Sequence, residues 1–195
     1  MDISDNDKSV DKMKDMVRKI LSQRTKKTIV DDSLKPSGVL LPLFYKDEKC
    51  HILFTKRTED VEHHKGQISF PGGSHDEGDE TLMATALRES YEEVGIKSED
   101  VEILGELDDV VTTTRFVISP FVGFIPYPYK FNINANETNE LIEVPIQALL
   151  DKKIHREELM IREGKPCPVY FYHYNNHVIW GATAGILKQF LDLVF

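Results

Sequence analysis

Residues 88–95 read Arg88-Glu89-Ser90-Tyr91-Glu92-Glu93-Val94-Gly95. Glu89, Glu92 and Glu93 stand at i, i+3 and i+4, a spacing that on an α-helix puts all three carboxylates on one face. Like charges that close repel one another, and a cation among them relieves the repulsion. Carboxylate oxygen suits a hard divalent ion, Mg²⁺ or Mn²⁺. Working outward, the helical pattern runs from about Thr81 to Val94 and closes at Gly95. At about 100° per residue, Met83, Leu87, Tyr91 and Val94 fall on one apolar stripe, which predicts the buried face. The glutamates lie roughly opposite, directed into a cleft. Arg88 is placed to brace the cluster with charge-assisted hydrogen bonds.

Taken alone, Glu-x-x-Glu-Glu also describes the solvated face of an ordinary surface helix. The turn just ahead, Phe70-Pro71-Gly72-Gly73, changes the balance. Two adjacent glycines let backbone approach an ion or a phosphate without obstruction by Cβ. A lone Pro-Gly-Gly is merely a tight turn. A glycine turn, a polar loop over Ser74–Glu80 and an acidic helix, in that order, describe a metal-dependent hydrolase.

Composition narrows the classes. At 195 residues, 41% hydrophobic and 29% charged, the chain suits one globular domain with a few appended elements. Its net charge of −9 argues against non-specific binding to nucleic acid or anionic membranes. An acidic protein that handles a phosphate ester needs metal ions to recruit it. No apolar run approaches the roughly 18 residues of a membrane span, and the N-terminal residues are too charged for a secretory signal. Two distant cysteines, Cys50 and Cys167, with no Cys-x-x-Cys pair, fit a reducing, cytoplasmic setting and exclude a cysteine-rich zinc site.

Residues 7–24 carry Val10, Met13, Val17, Ile20 and Leu21 in an amphipathic helical pattern, expected to pack on the domain surface or on a second subunit. With a connector it forms a first segment, 1–36, ahead of a domain over 37–195. Gly38–Tyr45 and His51–Thr55 read as strands across a charged turn. Ile68–Phe70, Val101–Leu107, Val110–Val111 and Phe116–Ile125 read as further strands. Glu143–Leu150 reads as a short helix introduced by Pro145. Val169–Tyr174 and Val178–Trp180 form a hairpin across Asn175-Asn176, and Trp180, which could stack on a base, reads as core beside a Gly-Ala-rich helix start. A last amphipathic helix carries Ile186, Leu187, Phe190, Leu191 and Val194. Mixed strands and helices of this order make an α+β fold.

Gly73–Ile96 resembles the Nudix box, the loop–helix motif of hydrolases that cleave nucleoside diphosphates linked to another group. Its usual form is Gly-x₅-Glu-x₇-Arg-Glu-apolar-x-Glu-Glu-x-Gly-apolar. Here Ser90 replaces the apolar residue, and the loop from Gly73 to Arg88 is one residue longer. Counting back from Arg88 assigns the upstream glutamate to Glu80; counting forward from Gly73 assigns it to Asp79. The longer loop resembles the coenzyme A diphosphatase branch. Leu53-Phe54-Thr55-Lys56-Arg57-Thr58, on through Gly66 to Phe70-Pro71-Gly72-Gly73, matches the spacing of that branch's upstream signature. Its second arginine is replaced by Glu62. Asn134–Pro145 resembles the branch's acidic loop, and Ile179–Ala184 its C-terminal helix entrance, so the resemblance spans about 37–192.

The resemblance implies an α/β/α sandwich around a mixed sheet, with the N-terminal helix added. It implies Mg²⁺ or Mn²⁺ ions held by Glu89, Glu92 and Glu93, with the Gly73 carbonyl as a weaker ligand. Glu92 and Glu93 with Arg88 make up the catalytic set. A remote glutamate completes the site or acts as base, Glu140 first and Glu137 second. Arg57, Lys56, Gly72 and His64 are the expected substrate contacts. The expected activity is hydrolysis of the diphosphate in coenzyme A or its derivatives, giving adenosine 3′,5′-bisphosphate and 4′-phosphopantetheine products. Glu62 keeps ADP-ribose, NADH, a nucleotide sugar or a nucleoside triphosphate open as substrate. A silent nucleotide-binding module is the third reading, and a homodimer stays open.

Overall fold

The computed structural model describes residues 5–58, 66–162 and 164–195. Its centre is β1 (Lys35–Lys46), whose residues Val39–Phe44 are all buried. Successive strand side chains point to opposite faces. Val39, Leu41 and Leu43 enter one hydrophobic cluster, Leu40 and Phe44 the other. A continuous apolar run is what a strand covered on both faces requires. The first cluster is closed by α1 (Asp5–Ser22) and α4 (Gly181–Val194), through Val17, Leu21, Ile186, Leu187 and Phe190. The second is closed by α2 (Leu82–Val94), through Ala86 and Val94. Each fully buried Leu, Ile or Phe contributes roughly 1.5–3 kcal/mol.

β1 runs antiparallel to β2 (Lys49–Arg57) and parallel to β7 (Phe116–Phe124). β5 (Glu102–Glu106) and β6 (Val110–Val111) pair with β7, and β8 (Thr138–Pro145) pairs with β2. β1 and β2 diverge, and a short segment fills the gap. Within it β3 (Ile68–Ser69) pairs with β2, and β4 (Gly72–Ser74) pairs with β1. The glycine turn is thereby wedged into the sheet beside α2. These strands form one eight-stranded mixed sheet among the described residues, an α+β fold with helices on both faces. A second, antiparallel sheet holds β9 (His155–Arg162), β10 (Lys165–Tyr174) and β11 (His177–Trp180).

Four features differ from the sequence reading or sharpen it. α1 packs on its own chain: Val17 and Leu21 are buried, and Lys14 and Arg18 pair with Glu102 on β5. The expected acidic loop is half strand, because Thr138–Pro145 forms β8, and the helix after it shrinks to α3 (Ile146–Leu149). β9 was not anticipated, its Glu157-Glu158 pair masking a strand pattern. The buried face of α2 is not the Met83–Leu87–Tyr91–Val94 stripe. Met83 is 37% and Tyr91 58% exposed, whereas Thr85, Ala86, Ser90, Glu93 and Val94 are buried. β1 crosses α2 so closely that a Cβ on Gly38 would overlap the Leu82 carbonyl. Such contact needs small side chains on the helix, so Ala86 and Ser90 are turned inward in place of the larger residues.

Candidate active site

Local sequence chemistry fixes α2 at both ends. The Thr81 hydroxyl accepts from the Ala84 N–H at 3.1 Å, an N-cap. At the other end Gly95, in the left-handed region, donates its N–H to Tyr91, and Ile96 N–H donates to Ser90, a stop of the αL type. The Ser90 hydroxyl donates to the Ala86 carbonyl at 2.6 Å, which satisfies a polar group in a fully buried position.

The loop before α2 is tied to it by Arg88. Its Nε and Nη2 donate to both oxygens of Asp79, at 2.9 and 3.0 Å. Nη2 also reaches the Ser74 carbonyl at 3.1 Å, and Nη1 reaches Glu89 at 2.9 Å and Glu92 at 3.2 Å. The Thr85 hydroxyl donates to Asp79 at 2.8 Å. These hydrogen bonds, Arg88's above all, hold the Asp79 carboxyl well below the usual carboxylate range. Asp79 therefore takes the place of the upstream acid, while Glu80 is exposed to solvent.

On the other side of α2, Glu93 is 3% exposed. Gly72 N–H donates to its Oε2 at 3.4 Å, and Arg57 Nη1 stands 3.7 Å from its Oε1. Burial raises its carboxyl to about 8, with Glu89 and Glu137 adding to the rise and Arg57 opposing it. Burial also raises Glu89, against the pull of Arg88. The Glu89 carboxylate lies directly against Gly73, where a Cβ would overlap all three atoms of the carboxyl group. The Gly73 carbonyl accepts the Ser37 hydroxyl at 2.6 Å.

Glu89, Glu93, Gly72, Gly73 and Arg57 thus line one cleft of about 1070 Å³. The remaining sequence-predicted residues fall elsewhere. Glu92 turns outward to Arg88, with its side chain 52% exposed. Arg88 supports the loop and the helix and does not line the cleft. Glu140 and Lys56 are cross-strand partners and so share a face. That face is not Arg57's: Glu140 sits 3.5 Å from His177 and 4.0 Å from Lys56, outside the cleft. Glu137, the second choice, lines the cleft, with its carboxylate held by the Asn134 amide at 2.9 Å. His64 and Glu62 lie outside the described residues. Trp180 is 44% exposed and lines the cleft, contrary to the expectation that it is core.

A model of the NUDIX domain matches residues 34–163. The chain belongs to the Nudix hydrolase family. It is 36% identical over 165 residues to the uncharacterized Nudix hydrolase NudL of Photorhabdus laumondii, covering 85% of this chain and 88% of that protein. Identity to NudL of Enterobacter sp. is 37% over 156 residues, 80% of each chain. Among solved structures, a C. elegans Ap4A hydrolase binary complex aligns with a TM-score of 0.50 at 16% identity, over 57% of this chain and 80% of that one. That likeness is one of fold. The protein is accordingly a Nudix hydrolase acting on a nucleoside diphosphate derivative.

Nudix hydrolases generally use divalent metal ions such as Mg²⁺ or Mn²⁺, and the cleft residues fit such an ion. Glu93 is a buried carboxylate whose nearest guanidinium is beyond hydrogen-bond reach, and Glu89 is a second one in a cradle that only glycine leaves open. Both pay a desolvation cost that a bound cation relieves. Among the described residues no three side chains converge as a ready-made cage. Sequence reasoning sets Trp180 aside as core and misses the strip Val110–Thr114 on the cleft wall. Trp180 ends β11, and the Gly181 that follows opens the space beside it. A tryptophan immediately before a glycine was the available signal.

Proposed function

We propose that this Nudix hydrolase cleaves the diphosphate linkage of coenzyme A or its derivatives, releasing adenosine 3′,5′-bisphosphate and a 4′-phosphopantetheine compound. The observation that carries the reading is the segment from Leu53 to Gly73. Its spacing matches the coenzyme A branch, and its two ends, Arg57 and Gly72-Gly73, line the same cleft as Glu89 and Glu93. The loop to Arg88, one residue longer than the common motif, supports the same branch.

Glu89 and Glu93 would hold Mg²⁺ or Mn²⁺, which when bound neutralises charge on non-bridging phosphate oxygens and acidifies a water. Glu92 and the Gly73 carbonyl would join them on leaving Arg88 and Ser37. Arg57 pairs with a phosphate oxygen, and Gly72 lets the diphosphate approach the backbone. Glu137 is the better-placed proton acceptor of the two downstream glutamates. Arg88 positions Glu89 and Glu92 without touching substrate. The unpaired Cys50 and Cys167 support a cytosolic setting.

Glu62, an acid where the branch carries arginine, favours a second reading, in which the substrate is another nucleoside diphosphate derivative. The intact Glu89, Glu92, Glu93 and Arg88 speak against a silent binding module. The test is a panel of coenzyme A, acetyl-coenzyme A, ADP-ribose, NADH and a nucleoside triphosphate, incubated with Mg²⁺ or Mn²⁺ and resolved by chromatography. Preferential cleavage of the coenzyme A compounds is expected. Coenzyme A left whole while another member is cleaved would overturn the first reading in favour of the second.

A further inference from the structure

The cleft has two chemically distinct walls. The wall from α2 and β4 carries the carboxylates. The wall from β10, β11 and the first turn of α4 carries Val169, Tyr170, Trp180, Ala182 and Ile186, and none of its lining residues is charged. Trp180 lies opposite Phe171 in the β10–β11 ladder. The two rings stack with centroids 6.5 Å apart and planes within 8° of parallel. The indole lies nearly parallel to the Phe171 ring but is not covered by it, and the residue keeps 44% of its surface exposed. Beside it Gly181 and Gly185 have no atoms within 4 Å of where a Cβ would stand, so the floor of this part of the cleft is open. Trp180 is one of several large hydrophobic side chains left exposed, and it is set apart by standing on the wall of the cleft that holds Glu89 and Glu93.

We propose that Trp180 is the platform on which the planar base of the nucleotide stacks, in the same cleft that holds Glu89 and Glu93. This rests on the cleft being the site of a nucleoside diphosphate derivative, and not on that derivative being coenzyme A. An indole has only two side-chain torsions to order on accepting a base, and every base offers a π-face to it. The carboxylate wall cannot take that part of the substrate, because a neutral ring gains nothing there and the charged groups lose solvation.

Trp180 is the chain's single tryptophan, so its emission reports the platform directly. AMP, ribose 5-phosphate and pantetheine would each be titrated into the intact protein. Saturable quenching by AMP, with none by ribose 5-phosphate, is expected. Quenching by pantetheine or ribose 5-phosphate without quenching by AMP overturns the proposal. In turnover, Trp180→Ala should raise KM about tenfold for the best substrate and leave kcat within about twofold. Trp180→Phe should recover most of the loss, and an unchanged KM in Trp180→Ala also overturns it. If coenzyme A is not the substrate, the proposed activity fails while AMP quenching still stands. If AMP does not quench but coenzyme A is cleaved, the platform alone fails.

Discussion

Asp79 and Glu93 are two acids flanking the same helix, with side chains 7% and 4% exposed, and the fold treats them in opposite ways. Asp79 receives a bidentate guanidinium and the Thr85 hydroxyl, which lower its proton affinity. Burial raises the proton affinity of Glu93, and one long backbone hydrogen bond and a guanidinium 3.7 Å away do not offset it. Similar side-chain exposure therefore does not mean equal role, and Glu93 is the more deeply buried of the two. The first carboxylate is fully matched by protein groups and ties a loop to a helix. The second is left short of positive charge inside a cleft, which is the state a metal ligand has before its ion arrives.

The largest effect expected of breaking this contrast is in Glu93→Gln, which should lower kcat by about 10² or more with Mg²⁺ or Mn²⁺ present. The same variant should stabilise the metal-free protein at alkaline pH. With its folded value near 8 and its ordinary value 4.5, Glu93 keeps a proton on folding that the unfolded chain gives up. Its contribution to stability is full below about pH 4.5 and lost as pH rises through about 8. Thermal melts of metal-free wild type should therefore fall across that window, and those of Glu93→Gln should fall less. Parallel curves would show that the buried carboxylate is compensated after all.

A smaller effect, on stability more than on chemistry, is expected of Asp79→Asn. Arg88 then loses its matched partner, and unfolding in denaturant should shift by about 2 kcal/mol, with the slope unchanged. Full stability in this variant would remove the anchoring role from the pair. The smallest effect belongs to Glu80→Ala, where stability should stay within about 0.5 kcal/mol and activity should be retained. A loss as large as that of Asp79→Asn would return the upstream acid's place to Glu80.

Much of this was legible before any coordinates. Thr81 and Gly95 marked the ends of α2 because caps are made by local backbone geometry. Glu89 and Glu93 could be read as neighbours because helical spacing is periodic. The roll of the helix could not, since Ala86 and Ser90 face inward only because β1 passes close at Gly38. Nor could the choice between Glu137 and Glu140, which depends on the β2–β8 register and its irregularity at Lys56/Arg57. The strand β8 reads as acidic loop because its Asn139, Glu140 and Glu143 obscure the buried alternation of Ile142 and Val144.

By itself the sequence determined the family, the α+β class and the acidic helix behind its glycine turn. Each of these is written in short-range spacing that any fold must obey. Tertiary structure alone decided which acids are paired and which are left bare, which of Lys56 and Arg57 faces the cleft, and that Trp180 stands on its wall. Those outcomes depend on cross-strand register and on how closely a helix approaches a sheet, and both are set by contacts between residues far apart in the chain.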